Sequence, residues 1–275
     1  MKRFSLILLS LLMIATCASS VAEETSWVTT ENVREHSSYV WREETPRYNG
    51  AEEHNFQPLT MDPADAYRIL REAYDRGQDQ ATRELLQSWG IEMEPCGAPM
   101  LRELISQADL QHHGHSDLST ENIPLVQLIS FSGWGWGEEG TLIFVEQWPN
   151  WYLWDYIPHA CEDFHLCGTD QGTGVYLEFS VIGHGTGCYV RYIDVYHLQT
   201  RRIEASYTTY GYEVFQNVGI QVYGSACYAR DGMHVFRRLS SLAFDEAQNE
   251  YVPTGSVLDA FDYSIDEQGN LELTN

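Results

Sequence analysis

The sequence predicts an α+β protein, with an N-terminal helical hairpin cap followed by a predominantly antiparallel β-sandwich or barrel-like domain. Apolar residues recur at helical spacing between Asp62 and Gly90. After Gln111 the period changes to two, and runs of alternating apolar residues separated by Gly- or Pro-containing breaks continue to Ile265. No helical crossover interrupts that second stretch, so neighbouring strands are expected to pair antiparallel.

The first 22 residues read as a secretory signal peptide: a basic Met1-Lys2-Arg3, an apolar run of twelve residues, and Ser20-Val21-Ala22 before Glu23-Glu24. The implied location is secreted or periplasmic. Ile14-Ala15-Thr16-Cys17 resembles a bacterial lipobox and makes a lipid anchor at Cys17 the minority alternative. No later stretch is long and apolar enough to predict an integral membrane span. Residues 23–60 form an extended polar leader, with Ser38 to Arg42 as a candidate edge strand.

Residues 61–110 are assigned to the helical cap. Asp62 is placed to cap a helix with Pro63 in its first turn, and Ala66, Ile69, Leu70, Ala73 and Tyr74 share one face. Asp79 starts a second run ending at Gly90, with Ala81, Leu85, Leu86 and Trp89 on its apolar side. Met100, Leu101, Leu104 and Ile105 suggest a third short helix from about Ala98 to Ala108. Residues 111–275 form the β-rich domain, with strands expected at 125–130, 141–147, 151–157, 175–182, 188–198, 203–210, 212–223, 233–239 and 257–265.

Charge narrows the function classes. The formal net charge is −24, and Lys2 is the one lysine of the chain, so removing the signal peptide leaves −26 (−24 less Lys2 and Arg3). Such a chain repels phosphate backbones and anionic lipid, so no nucleic acid partner is expected. Without a mature lysine, Schiff-base and P-loop chemistry are excluded, and no cofactor is implied.

Five cysteines remain after export, and an oxidising compartment makes them disulfide candidates. Cys161 with Cys167, and Cys188 with Cys227, are the expected pairs, leaving Cys96. His159, Cys161, His165 and Cys167 also form an H-x-C-x₃-H-x-C pattern that suits zinc, though the small disulfide loop is the simpler account. His113, His115 and Asp117 resemble the opening ligands of the metallo-β-lactamase motif. Leu118 stands where that motif's last His belongs, and no alternating β-α units follow, so the segment reads as a solvated linker.

Residues 131–167 hold five of the eight tryptophans, and the candidate ligand-binding residues are Trp134, Trp136, Trp148, Trp151, Tyr152 and Trp154. Strict alternation puts Trp148, Asn150, Tyr152, Trp154 and Tyr156 on one face and Trp151, Leu153, Asp155 and Ile157 on the other. Aromatic rows on an exported β-domain either fill a sheet interface or stack on sugar rings and extended chains. The expected function is therefore non-catalytic binding or a structural role at the cell envelope or exterior, engaging carbohydrate or an extended polymer. The alternative is a secreted hydrolase that uses a His-bound metal or a carboxylate pair drawn from Glu146, Asp155, Glu178 and Asp194.

Overall fold

The computed structural model describes residues 56–75, 79–91, 103–108, 124–132, 140–161, 163–168, 174–185, 187–215, 218–229 and 231–274. Among the described residues two helices precede most of the strands, α1 (Pro63–Asp75) and α2 (Asp79–Ser88). A five-stranded antiparallel sheet contains β1 (Leu59–Thr60), β2 (Glu103–Ala108), β3 (Val126–Ser132), β4 (Gly140–Gln147) and β5 (Asn150–Ile157), in the order β1-β5-β4-β3-β2. An eight-stranded antiparallel sheet runs in sequence order through β6 (Asp163–Gly168), β7 (Val175–Gly185), β8 (Cys188–His197), β9 (Arg202–Phe215), β10 (Val218–Ala229), β11 (Gly232–Asp245), β12 (Glu250–Ile265) and β13 (Leu271–Thr274). β6 and β13 are its two edges, so it does not close into a barrel.

The helices begin and end where their sequences dictate. Asp62 Oδ1 accepts the backbone N–H groups of Ala64 and Asp65 at 2.8 and 3.3 Å, and Pro63, which has no N–H to satisfy, takes the first position. α2 stops at Gly90, whose φ of 82° suits glycine. Ile91 N–H then bonds Leu86 O and Gly90 N–H bonds Gln87 O, the paired closure of a left-handed helix cap. Ala66, Leu70, Leu86 and Trp89 turn inward onto Ile129, Phe131, Leu142, Phe144 and Leu153 of the smaller sheet.

The expected third helix is instead partly strand. Glu103–Ala108 pairs with Gln127–Ser132 as β2, because the open edge of β3 offers a full ladder to a six-residue segment too short for a stable helix of its own.

The smaller sheet is covered on both faces, which is why Gly140 to Val145 are buried without alternation. Leu142 and Phe144 face the helices; Ile143 and Val145 face Phe179, Val190, Tyr192 and Tyr196 of the larger sheet. Each such burial contributes roughly 1.5–3 kcal/mol.

The larger sheet folds back on itself. β10 pairs with β9 only from Val218 to Tyr223, yet it continues along β11 to Ala229. Beyond Tyr223 the strands β10 to β13 swing over β7 to β9, enclosing Tyr176, Val195, Ala205 and Tyr207 on one side and Met233, Val235, Tyr263 and Leu271 on the other. Gly224 permits the divergence, since a Cβ there would lie 2.0 Å from Thr208 O. Tyr176 Oη donates to Gly269 O, and Leu271 N–H donates to Glu204 Oε2 at 2.8 Å, pinning the returning end. The result is four layers: helices, small sheet, β6–β9 and the returning β10–β13.

Candidate functional site

The layers meet around a buried charged joint on β5. Asp155 is fully buried, accepts a hydrogen bond from Tyr196 Oη at 2.7 Å, and pairs with Arg201 Nη2 at 3.2 Å. Arg201 also donates to Phe56 O at 2.7 Å and lies over the Phe56 and Trp154 rings. This network ties the leader, the small sheet and the β8–β9 turn together. It is built for cohesion, with its carboxylate sealed.

β5 also departs from strict alternation. Ile143 pairs with Asp155 and Phe144 with Leu153, so Trp154 is an extra, bulged residue. Consequently Leu153 and Tyr156 share the helix-facing side, while Trp154 and Ile157 pack toward the larger sheet. The expected aromatic row is thereby divided. Trp151 is half-buried against the helix-side core; the half-buried Trp154 donates its indole N–H to Leu198 O at 2.9 Å; Tyr152 is half-buried. Trp148, in the β4–β5 turn, is 87% exposed. Trp134 and Trp136 lie outside the described residues, as do His113, His115, Asp117 and Cys96.

A different aromatic cluster forms on the larger sheet, from residues whose sequence pattern marks them only as strand positions. Tyr207 and Tyr210 would face opposite sides of a regular β9. A register shift changes this: Arg191 pairs with Tyr210 but Tyr192 with Thr208, leaving Thr209 as the bulged residue. Tyr210 and Tyr212 therefore point to the same side as Tyr189, which pairs with Tyr212, and as Tyr223, which pairs with Tyr210. Ring centroids are 6.2 Å apart for Tyr189–Tyr212, 5.9 Å for Tyr189–Tyr210 and 5.2 Å for Tyr210–Tyr223. The cluster sits where β10 still pairs with β9, beyond the part of the sheet that the returning strands cover. Tyr189, Tyr210 and Tyr212 are half-buried and Tyr223 is exposed. Arg238 Cζ stands 5.1 Å from the Tyr223 ring centre. Such a surface can stack on the apolar C–H faces of sugars while its phenols exchange hydrogen bonds with hydroxyls.

The four carboxylates considered for hydrolysis do not converge. Asp194, fully buried, accepts from Ser206 Oγ on the face turned toward the small sheet. Glu178 lies on the opposite face of the same sheet, Asp155 belongs to the joint, and Glu146 is half-buried on β4 opposite Trp151. Glu178 bridges two layers. Its Oε1 accepts Tyr228 Oη at 2.7 Å and Tyr207 Oη at 3.3 Å, so it bridges β7 to the returning layer. Burial pushes its carboxyl above the ordinary Glu range, against the opposing pull of both phenols and of His165.

The expected disulfides are corrected: Cys161, Cys188 and Cys227 are thiols. Extended β6 carries Cys167 away from Cys161, since the four steps from Asp163 to Cys167 span about 13 Å and a bridge needs Cα atoms about 6 Å apart. Cys188 on β8 and Cys227 on β10 have β9 between them. The Cys161 thiol instead contacts Asp163 O at 3.0 Å, and burial raises its pKa strongly. The same extension disperses the His159, Cys161, His165 and Cys167 quartet. Among the described residues no three His, Cys, Asp or Glu side chains are grouped to hold a metal ion, and no helix is long and apolar enough to cross a membrane. Comparison with protein-family models, with curated proteins and with solved structures returned no match to this chain.

Proposed function

We propose that this chain is an exported, non-catalytic binding protein that engages carbohydrate or another extended polymer through aromatic side chains, with Tyr189, Tyr210, Tyr212 and Tyr223 as the platform. The observation that carries the reading is the convergence of four phenol rings from three adjacent strands on an uncovered stretch of sheet. Export rests on the basic and apolar pattern of residues 1–22. Calorimetric titration of the mature protein with a panel of oligosaccharides tests the reading. Binding to at least one chain type, weakened about tenfold by Tyr210→Ala or Tyr223→Ala, is the expected result, because losing one stacked ring costs about 0.5–1.5 kcal/mol beyond its buried area. Full affinity in both variants contradicts it.

The second reading is a hydrolase, and Glu178 favours it: a carboxyl held by two phenols with its pKa raised has the character of a general acid. Release of reducing ends from any of the same oligosaccharides, abolished by Glu178→Gln, would support the hydrolase over the binder.

A further inference from the structure

We infer that the ligand of the tyrosine platform is an anionic polysaccharide, an acidic group of which is held by Arg238 while its sugar rings stack on Tyr210 and Tyr223 beside it. The inference rests on the platform reading and adds the charge of the ligand. Antiparallel register places Arg191, Tyr210, Tyr223, Arg238 and Leu258 directly beside one another across β8 to β12. Two arginine positions thus flank two tyrosines, their Cα atoms about 14 Å apart at three strand spacings.

The neighbouring rows reinforce the pattern. Tyr189, Tyr212, Gln221, Ser240 and Ser256 form the row on one side, and Ser225, Phe236 and Ala260 continue the face on the other. In a chain with 40 acids among 275 residues, none of these positions is acidic. Among the described residues the next acid in this alternation along β12, after Leu258 and Ala260, is Asp262, and it is engaged by His234 Nδ1 at 2.7 Å. Among the described residues these rows of the outward face carry no carboxylate, which on a protein of formal charge −24 lowers local repulsion where an anionic chain would lie. At physiological salt the Debye length is about 8 Å, so this local patch outweighs the distant net charge. Arginine supplies a planar fork matched to carboxylate or sulfate, and it stacks on aromatic rings, as Arg238 does on Tyr223.

The test is affinity of the mature protein for an oligogalacturonate, for the same oligomer fully methyl-esterified, and for a sulfated galactan oligomer, each with wild type, Arg238→Gln and Tyr210→Ala. The expected result is binding of one or both anionic oligomers, at least fivefold weaker binding of the ester, and a three- to tenfold loss in Arg238→Gln, of the size of an exposed charge-assisted contact. Whichever anionic oligomer binds more tightly identifies the group held. Equal binding of the acid and its ester, with Tyr210→Ala weakening both, overturns the anionic assignment and leaves the platform standing. No binding of any oligomer overturns both.

Discussion

Strand β5 and the upper halves of β8 to β10 are both rich in aromatic residues, yet the molecule treats them in opposite ways. β5 lies in a sheet covered by helices on one face and a second sheet on the other, and its bulge at Trp154 sends successive aromatics into two different cores. β8 to β10 extend past the point where the returning strands cover them, and their bulge at Thr209 gathers tyrosines from three strands onto one open face. The same device, one extra residue in an antiparallel pair, dismantles one aromatic row and assembles another. What differs is the cover supplied by other layers.

The comparison breaks most visibly at Asp155. Asp155→Ala leaves Arg201 uncompensated at the joint of three layers, and a loss of about 3–5 kcal/mol in urea-denaturation stability is expected; a loss under ~1 kcal/mol would show that β5 is not the structural seam described. Trp154→Phe keeps much of the packing but leaves Leu198 O without its indole donor, so about 1–3 kcal/mol should be lost in the same measurement.

Glu178 probes how closed the covered half of β7 to β10 is. Its raised carboxyl titrates above the ordinary value near 4.3. The stability contributed by the neutral form is full below that value and is lost as pH rises through the folded-state value. Wild type should therefore lose stability relative to Glu178→Gln as pH is raised from about 4.3, and parallel pH profiles would show the carboxyl to be as well solvated as an exposed one. The smallest stability effect belongs to the open face: Tyr210→Ala should cost about 1 kcal/mol or less, while removing most of the ligand affinity.

Much of the fold was legible because burial leaves a pattern, a period-two trace along β7 to β12 and a continuous apolar run in β4, which is buried on both faces, and because Asp62-Pro63 and Gly90 mark helix ends by local chemistry. Short strands left weaker traces. β6 does alternate, with Phe164 and Leu166 buried around half-exposed His165, but its His and Cys spacing fits a disulfide staple equally well. β2 carries Leu104 and Ile105, whose adjacency fits a helix as well as a strand until β3 is seen beside them. The tyrosine platform was not legible, since Tyr189, Tyr210 and Tyr223 are separated by many residues and only register brings them together. A bulge at Thr209 has no sequence signature as strong as a glycine or proline, and without it Tyr207 and Tyr210 read as opposite faces.

The most direct test is hydroxyl-radical footprinting of the mature protein with and without the tightest-binding oligosaccharide, read peptide by peptide. The expected result is reduced oxidation at Tyr189, Tyr210, Tyr212 and Tyr223 with Trp148 unchanged. Protection of Trp148 and the β4–β5 turn, with the four tyrosines oxidised as before, would contradict the assignment of the ligand face.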